Sequence, residues 1–338
     1  PSARVTTDFV VTEQNEAALN GLATRKQVTV TAKGNGKEAQ FSILLYVPNR
    51  AARPVPLVVA LNFKGNHTIV HDPGIYLPAG ASDDERGSRQ HRWPVRDILK
   101  RGYALATVYY EDIVPDESRP FAEGIFPLFY EPGQTKPAPH EWGAIGAWAW
   151  GMSRVLDYAE TDDAVNAGRA IALGHSRLGK TALWAGAQDE RFAIVVSNNS
   201  GCGGAALSRR RFGETVARIN TAFPHWFCDC FKQYNDNESA LPVDQHQLIG
   251  LIAPRPVYVA SAEEDQWADP RGEFLAAKHA GPVYALLGKD GLPVDTMPPV
   301  NEPVHGTIGY HVRAGGHDLT AYDWTQFLDF ADYHFGRR

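Results

Sequence analysis

The sequence lacks any apolar stretch of the roughly 20 residues that a membrane-spanning helix needs, so no membrane partner is expected. It also lacks an excess of basic charge: 33 Lys and Arg stand against 39 Asp and Glu, a net charge of −6. That balance gives no reason to expect a nucleic-acid partner, and the short cluster Arg209-Arg210-Arg211 reads as a solvated face or local ion pairs. Cysteine is scarce. Cys202, Cys228 and Cys230 do not have the usual spacing of a zinc site, which leaves one disulfide plus a free thiol, or three buried thiols. Pairing of Cys202 with either of the others would suit an exported protein. No signal-peptide pattern opens the chain, which starts at Pro1, and a mature or trimmed chain is expected. Repeats, low-complexity segments and a persuasive linker are missing too, so residues 1–338 read as a single domain.

What is present is an alternation of strands and helices. Residues 1–24 show no clear period and read as an irregular leader. Gln27–Ala32 and Ala39–Pro48 flank Gly34-Asn35-Gly36 and predict an antiparallel hairpin. Val55–Leu61, Tyr103–Tyr110, Ala170–Leu173, Phe192–Ser197 and Arg255–Ser261 are apolar runs suited to strands buried on both faces. A last strand is expected near Val283–Leu287, with a loop over Gly309–Asp318. Helices are expected at Trp93–Arg101, from about Glu141, after Gly179 and over Trp324–Phe335. The Gly-, Pro- and Ser-rich stretch up to Arg92 reads as a surface insertion, and the proline-broken stretch 113–139 as a long loop. The pattern implies an α/β fold, a three-layer sandwich whose central sheet is mostly parallel after an N-terminal antiparallel hairpin.

One stretch carries chemistry. Leu173-Gly174-His175-Ser176-Arg177-Leu178-Gly179-Lys180 places a serine on a tight turn from strand to helix, which resembles the nucleophile elbow of the α/β-hydrolases. The spacing is G-x-S-x-x-G rather than G-x-S-x-G, and alone it suits an ordinary serine capping a helix better than a nucleophile. Two further residues favour the nucleophile. Asp265 follows a later strand and His317 follows two glycines before the final helix, giving the chain order Ser…Asp…His of that fold. An imidazole takes the serine proton near neutral pH and returns it to the leaving alcohol, while a carboxylate fixes its tautomer. His305 and His311 are rival bases, and Asp318 reads as structural. The loop after Val55–Leu61, with Gly65, is where such hydrolases can supply an oxyanion donor.

The motifs Gly-His-Ser-Arg-Leu-Gly-Lys at 174–180, Ser-Gly-Cys-Gly-Gly-Ala-Ala at 200–206, Asp265-Gln266-Trp267 and Gly316-His317-Asp318 with Asp323-Trp324 resemble those of the glucuronoyl esterases, carbohydrate esterase family fifteen, and particularly of its bacterial members. The likeness runs from about Val55 to the C-terminus. It implies hydrolysis, without metal or organic cofactor, of the ester between a xylan-borne 4-O-methylglucuronate and a lignin alcohol. It implies Ser176 as nucleophile, His317 as base and Arg177 as oxyanion stabiliser through its backbone N–H and guanidinium. Lys180, Glu214 and Trp267 match positions that hold the sugar. Many members carry a glutamate directly before the Ser200-Gly201 motif, where this chain has Asn199, so the acid is expected at Asp265, with Glu263 and Glu264 as substitutes. The implied substrate, glucuronoxylan or a lignin–carbohydrate ester, places the enzyme outside the cell or in the periplasm, and a monomer is expected. Two alternatives stay open: an acetyl or feruloyl esterase acting on plant polysaccharide, and a non-catalytic carbohydrate-binding protein that kept the hydrolase fold.

Overall fold

The computed structural model describes residues 5–118 and 120–337. The chain packs as two compact units, residues 1–170 and 171–338, and the division falls inside a strand. No helix among the described residues is long and apolar enough to cross a membrane.

In the first unit the strands lie in the order β1-β2-β3-β5-β4. β1 (Thr6–Ala17), β2 (Ala23–Gly34) and β3 (Lys37–Pro48) form an antiparallel meander, β3 continues antiparallel onto β5 (Ala104–Tyr109), and β5 runs parallel to β4 (Val55–Asn62). The β2–β3 turn is Asn35-Gly36, both with positive φ (51° and 69°), the two-residue loop whose twist matches the flanking strands. Every residue of β4 is buried, as its unbroken apolar run requires. Helix α1 (Val95–Lys100) precedes β5, and α2 (Ala144–Ala159) presents Ile145, Trp148, Met152, Val155 and Leu156 to the interior.

Two expectations fail in this unit. The supposed leader is largely β1, a mostly exposed edge strand paired with β2 through a bulge between Val11 and Glu13. Its polar run Thr12-Glu13-Gln14-Asn15 hides the strand period because neither face is fully buried. The supposed surface insertion buries Ile69, Val70 and Ile75, and it is tied down by a polar cluster. Arg25 donates to Asp72 (2.6 Å) and to Glu13 (3.0 and 2.8 Å), Tyr46 donates to the other Asp72 oxygen (2.6 Å), and Gly74 N–H completes the set. Burial alone would raise the Asp72 pKa, but these donors hold it below the usual carboxylate range. Gly65 N–H donates to Asn62 Oδ1 at 2.7 Å, so this amide is engaged within its own loop.

The second unit takes the end of β6 (Val165–His175) and orders its strands β6-β7-β8-β9, with β7 (Phe192–Asn198), β8 (Val257–Ala262) and β9 (Ile308–Arg313) parallel. Its helices are α3 (Arg177–Gln188), α4 (Val216–Ala222), α5 (Gln245–Gly250), α6 (Pro270–His279), α7 (Gly281–Leu286) and α8 (Ala321–Phe335). The strand expected at 283–287 is therefore α7, started by Pro282, whose fixed φ suits a first helical turn. The last strand is instead β9, which the expected loop over Gly309–Asp318 had absorbed. Its polar residues His311 and Arg313 are buried because Asp323, ten or twelve residues on, accepts hydrogen bonds from both.

Fully buried Glu273 on α6 joins the loop after β7 to the end of β8. Its carboxylate accepts from Ser200 N (2.7 Å), Gly201 N (2.9 Å) and Ser261 Oγ (2.6 Å). Burial is the largest influence and pushes its pKa from 4.5 up to about 7, against those donors. The folded state thus holds a proton that the unfolded chain has released, and stability falls as pH rises from 4.5 to about 7. Urea denaturation between pH 5 and 8 should show that slope in the wild type and a flatter one in Glu273→Gln, whose amide keeps an acceptor for the two backbone donors. In the first unit, Asp72→Asn leaves Arg25 with Glu13 as its charged partner but weakens the charge-assisted bonds from Arg25 and Tyr46, and should cost about 2 kcal/mol of unfolding free energy in the same assay at neutral pH.

Candidate active site

Four neighbouring strands of the second unit end in four residues of one site: β6 in Ser176, β7 in Asn199, and the loops after β8 and β9 in Asp265 and His317. Parallel strands bring their carboxyl ends to one edge, and there such folds gather ligands.

Ser176 has φ 58° and ψ −129°, a strained conformation for any residue with a Cβ. The strain is held by Ser176 N–H donating to Asn198 O (2.9 Å), while its own carbonyl accepts from Gly179 and Lys180 in the first turn of α3. The turn explains the displaced glycine. A Cβ on Gly174 would stand 1.8 Å from Leu178 O, so the Leu178 backbone, not its side chain, fills this space. A Cβ on Gly179 would likewise stand only 3.0–3.1 Å from Ser200 Cβ, Asn198 O and Gly174 O. Glycine is thus needed where the chains cross, one place later than in the common motif.

His317 joins two groups. Its Nε2 lies 2.9 Å from Ser176 Oγ and its Nδ1 2.6 Å from Asp265 Oδ2. With Nδ1–H donated to the carboxylate, Nε2 is left to accept the serine proton. Asp265 is buried, which works to raise its pKa, but the hydrogen bond and charge of His317, with Asn199 Nδ2 (2.9 Å) and Ala268 N (3.3 Å), bring it below the ordinary value. Glu263 and Glu264 are exposed, and their backbone N–H groups donate to Arg313 O (2.8 Å) and Gly315 O (3.0 Å). Those two bonds tie the loop carrying Asp265 to the loop carrying His317. His311 lies buried in β9 between Tyr258 and Asp323, and Asp318 Oδ1 accepts from Leu319 N (2.9 Å).

The sugar-position residues stand in the same unit. Lys180 is buried, donates to Ser200 O and lies 3.8 Å from Glu214. Burial lowers its ammonium pKa, with Glu214 opposing. Glu214 is raised by burial, against the Lys180 charge and a hydrogen bond from the Trp267 indole. Its backbone N–H also donates to Trp267 O at 2.9 Å. Trp267 is half-exposed, an aromatic face open to solvent. The Arg177 guanidinium lies 4.7 Å from the Trp226 ring and 5.3 Å from that of Phe223, and these two rings stack 3.7 Å apart.

From the sequence, Asn199 reads as a departure from the family pattern. In the structure its amide donates to Asp265 in a left-handed conformation (φ 47°) that asparagine tolerates better than most residues. A carboxylate at 199 would face that of Asp265, and two such neighbours cannot both stay ionised cheaply. All three cysteines are free thiols; burial pushes Cys202 up to about 12 despite nearby Lys180, which makes it unreactive.

A family model described as glucuronyl esterase, fungi, matches residues 98–288. The chain is 49% identical to carbohydrate esterase MZ0003 from an unknown prokaryotic organism, over 97% of this chain and 79% of that relative. It is 30% identical to a 4-O-methyl-glucuronoyl methylesterase of Phanerochaete carnosa over 69% of this chain, which spans 58% of that relative's length. Among solved structures it superposes on a glucuronoyl esterase from Solibacter usitatus with a TM-score of 0.94 at 49% identity, covering 99% of this chain and 88% of that one. With its α/β-hydrolase architecture and a Ser–His–Asp chain across three strand ends, the protein belongs to the glucuronoyl esterases of carbohydrate esterase family 15.

Proposed function

We propose that this protein is a serine esterase that cleaves the ester between the carboxyl of a 4-O-methylglucuronate side chain of glucuronoxylan and a lignin alcohol. The observation that carries the mechanism is the unbroken hydrogen-bond chain Ser176–His317–Asp265, at 2.9 and 2.6 Å. Ser176 Oγ attacks the glucuronate carbonyl as His317 Nε2 takes its proton. Asp265 stays ionised beneath the imidazolium and stabilises it. The Arg177 backbone N–H, in the first turn of α3 where helix amides have no acceptor within the helix, faces the developing oxyanion, and the guanidinium beside it adds positive charge. Collapse breaks the ester C–O bond and the alcohol leaves with the proton from His317. Water, deprotonated by the same imidazole, then attacks the acyl-serine; the bond between Ser176 Oγ and the acyl carbon breaks, His317 returns the proton to Oγ, and glucuronate is released.

Lys180 and Glu214 hydrogen-bond the sugar hydroxyls, and the Trp267 indole packs on the pyranose face. Such esters are outside cells, so we infer an exported enzyme, acting as a monomer.

Benzyl glucuronate at neutral pH tests the reading. Wild-type turnover should fall on the order of 10⁶-fold in Ser176→Ala and about 10⁴-fold in Asp265→Asn. Turnover undiminished in Ser176→Ala overturns the nucleophile, and turnover of acetylated xylan in place of the glucuronate ester overturns the substrate. Trp267→Ala should raise KM about tenfold with kcat preserved, since a ring stacked on the sugar contributes about 1 kcal/mol or more in ground state and transition state alike; a fall in kcat at unchanged KM would contradict this placement.

A further inference from the structure

Arg313, the last residue of β9, is nearly inaccessible to solvent, and a guanidinium so placed must satisfy its donors internally. It does so around His317. Nε donates to Asp323 Oδ2 (2.9 Å), one terminal nitrogen to Ala314 O (2.9 Å), and the other to both Gly316 O (3.0 Å) and Asp318 O (2.6 Å). The carbonyls immediately before and after His317 are therefore held by a single nitrogen.

Asp323 is fixed in turn. Its carboxylate also accepts from His311 Nε2 (2.9 Å), Thr320 N and Oγ1 (both 2.7 Å) and Asn198 Nδ2 (3.2 Å). Asn198 carries the connection back to the nucleophile: its Oδ1 lies 2.6 Å from His175 Nδ1, and its backbone oxygen accepts from Ser176 N–H. The His175 ring stands 4.7 Å from that of His317. The loop 314–318 contains Gly315 and Gly316, which impose little conformational order of their own. Its geometry is set from outside, by a planar fork that no lysine can reproduce.

We propose that Arg313 and Asp323 are positioning residues of the reaction, a buried pair that fixes the carbonyls of Gly316 and Asp318, the residues on either side of His317, so that the imidazole meets Asp265 and Ser176 together. Neither residue touches substrate. The proposal rests on His317 acting as the base.

The test compares Arg313→Lys, Asp323→Asn and His317→Ala on benzyl glucuronate, with rates expressed per folded molecule from near-ultraviolet circular dichroism. Arg313→Lys and Asp323→Asn should each lose about 100-fold in kcat, the effect of a misplacement near 1 Å, with KM unchanged. The rate at which an organophosphonate labels Ser176 should fall in parallel. A purely architectural role would lower the melting temperature but leave kcat per folded molecule and the labelling rate at wild-type values, and that result overturns the proposal. Asp323→Asn preserves side-chain shape and stands in where Arg313→Lys does not fold. His317→Ala separates the two readings: if it keeps turnover, the base assignment is wrong, whereas an inactive His317→Ala beside a fully active Arg313→Lys refutes only the positioning role.

Discussion

A short hydrogen bond between a buried carboxylate and a half-exposed imidazole, Asp265 Oδ2 to His317 Nδ1 at 2.6 Å, is what the rest of the site is built to maintain. Removing a carboxylate from water favours its protonation, and a protonated Asp265 would neither fix the imidazole tautomer nor stabilise its charge. The fold answers with donors. Asn199 and the Ala268 amide supply hydrogen bonds to the carboxylate.

The choice of asparagine at 199 follows from the same electrostatics. The end of β7 places Asn199 against Asp265, which follows β8 and meets the histidine. With Asp265 as the acid, a donor at 199 strengthens the carboxylate, whereas another acid would compete with it. Glu273 shows the contrasting case. Its carboxyl is pushed up to about 7 by burial, with the Asp265 charge adding to the rise, and it serves to hold Ser200 and Gly201 rather than to exchange protons with substrate.

The polypeptide signals of the site were legible where they depend on local geometry. Gly174 and Gly179 around Ser176, the Asn35-Gly36 turn and the buried runs of β4, β7 and β8 each follow from nearest-neighbour sterics or apolar patterning. The illegible parts depend on partners distant in sequence. β1 is a polar edge strand that only its pairing with β2 reveals, and the apolar Val283–Leu287 run lies in and just beyond the solvent-facing α7. β9 went unseen because His311 and Arg313 look like loop residues until Asp323 compensates them. The Asn199–Asp265 and Asn198–Asp323 bonds likewise join segments whose meeting no spacing rule announces.

The most direct measurement is the low-field proton NMR signal of the His317 Nδ1–H···Asp265 hydrogen bond. It should be present in the wild type, retained in Glu263→Gln and Glu264→Gln, and absent in Asp265→Asn. A signal that survives Asp265→Asn and disappears with either glutamate would contradict the assignment of the buried aspartate as the partner of the histidine.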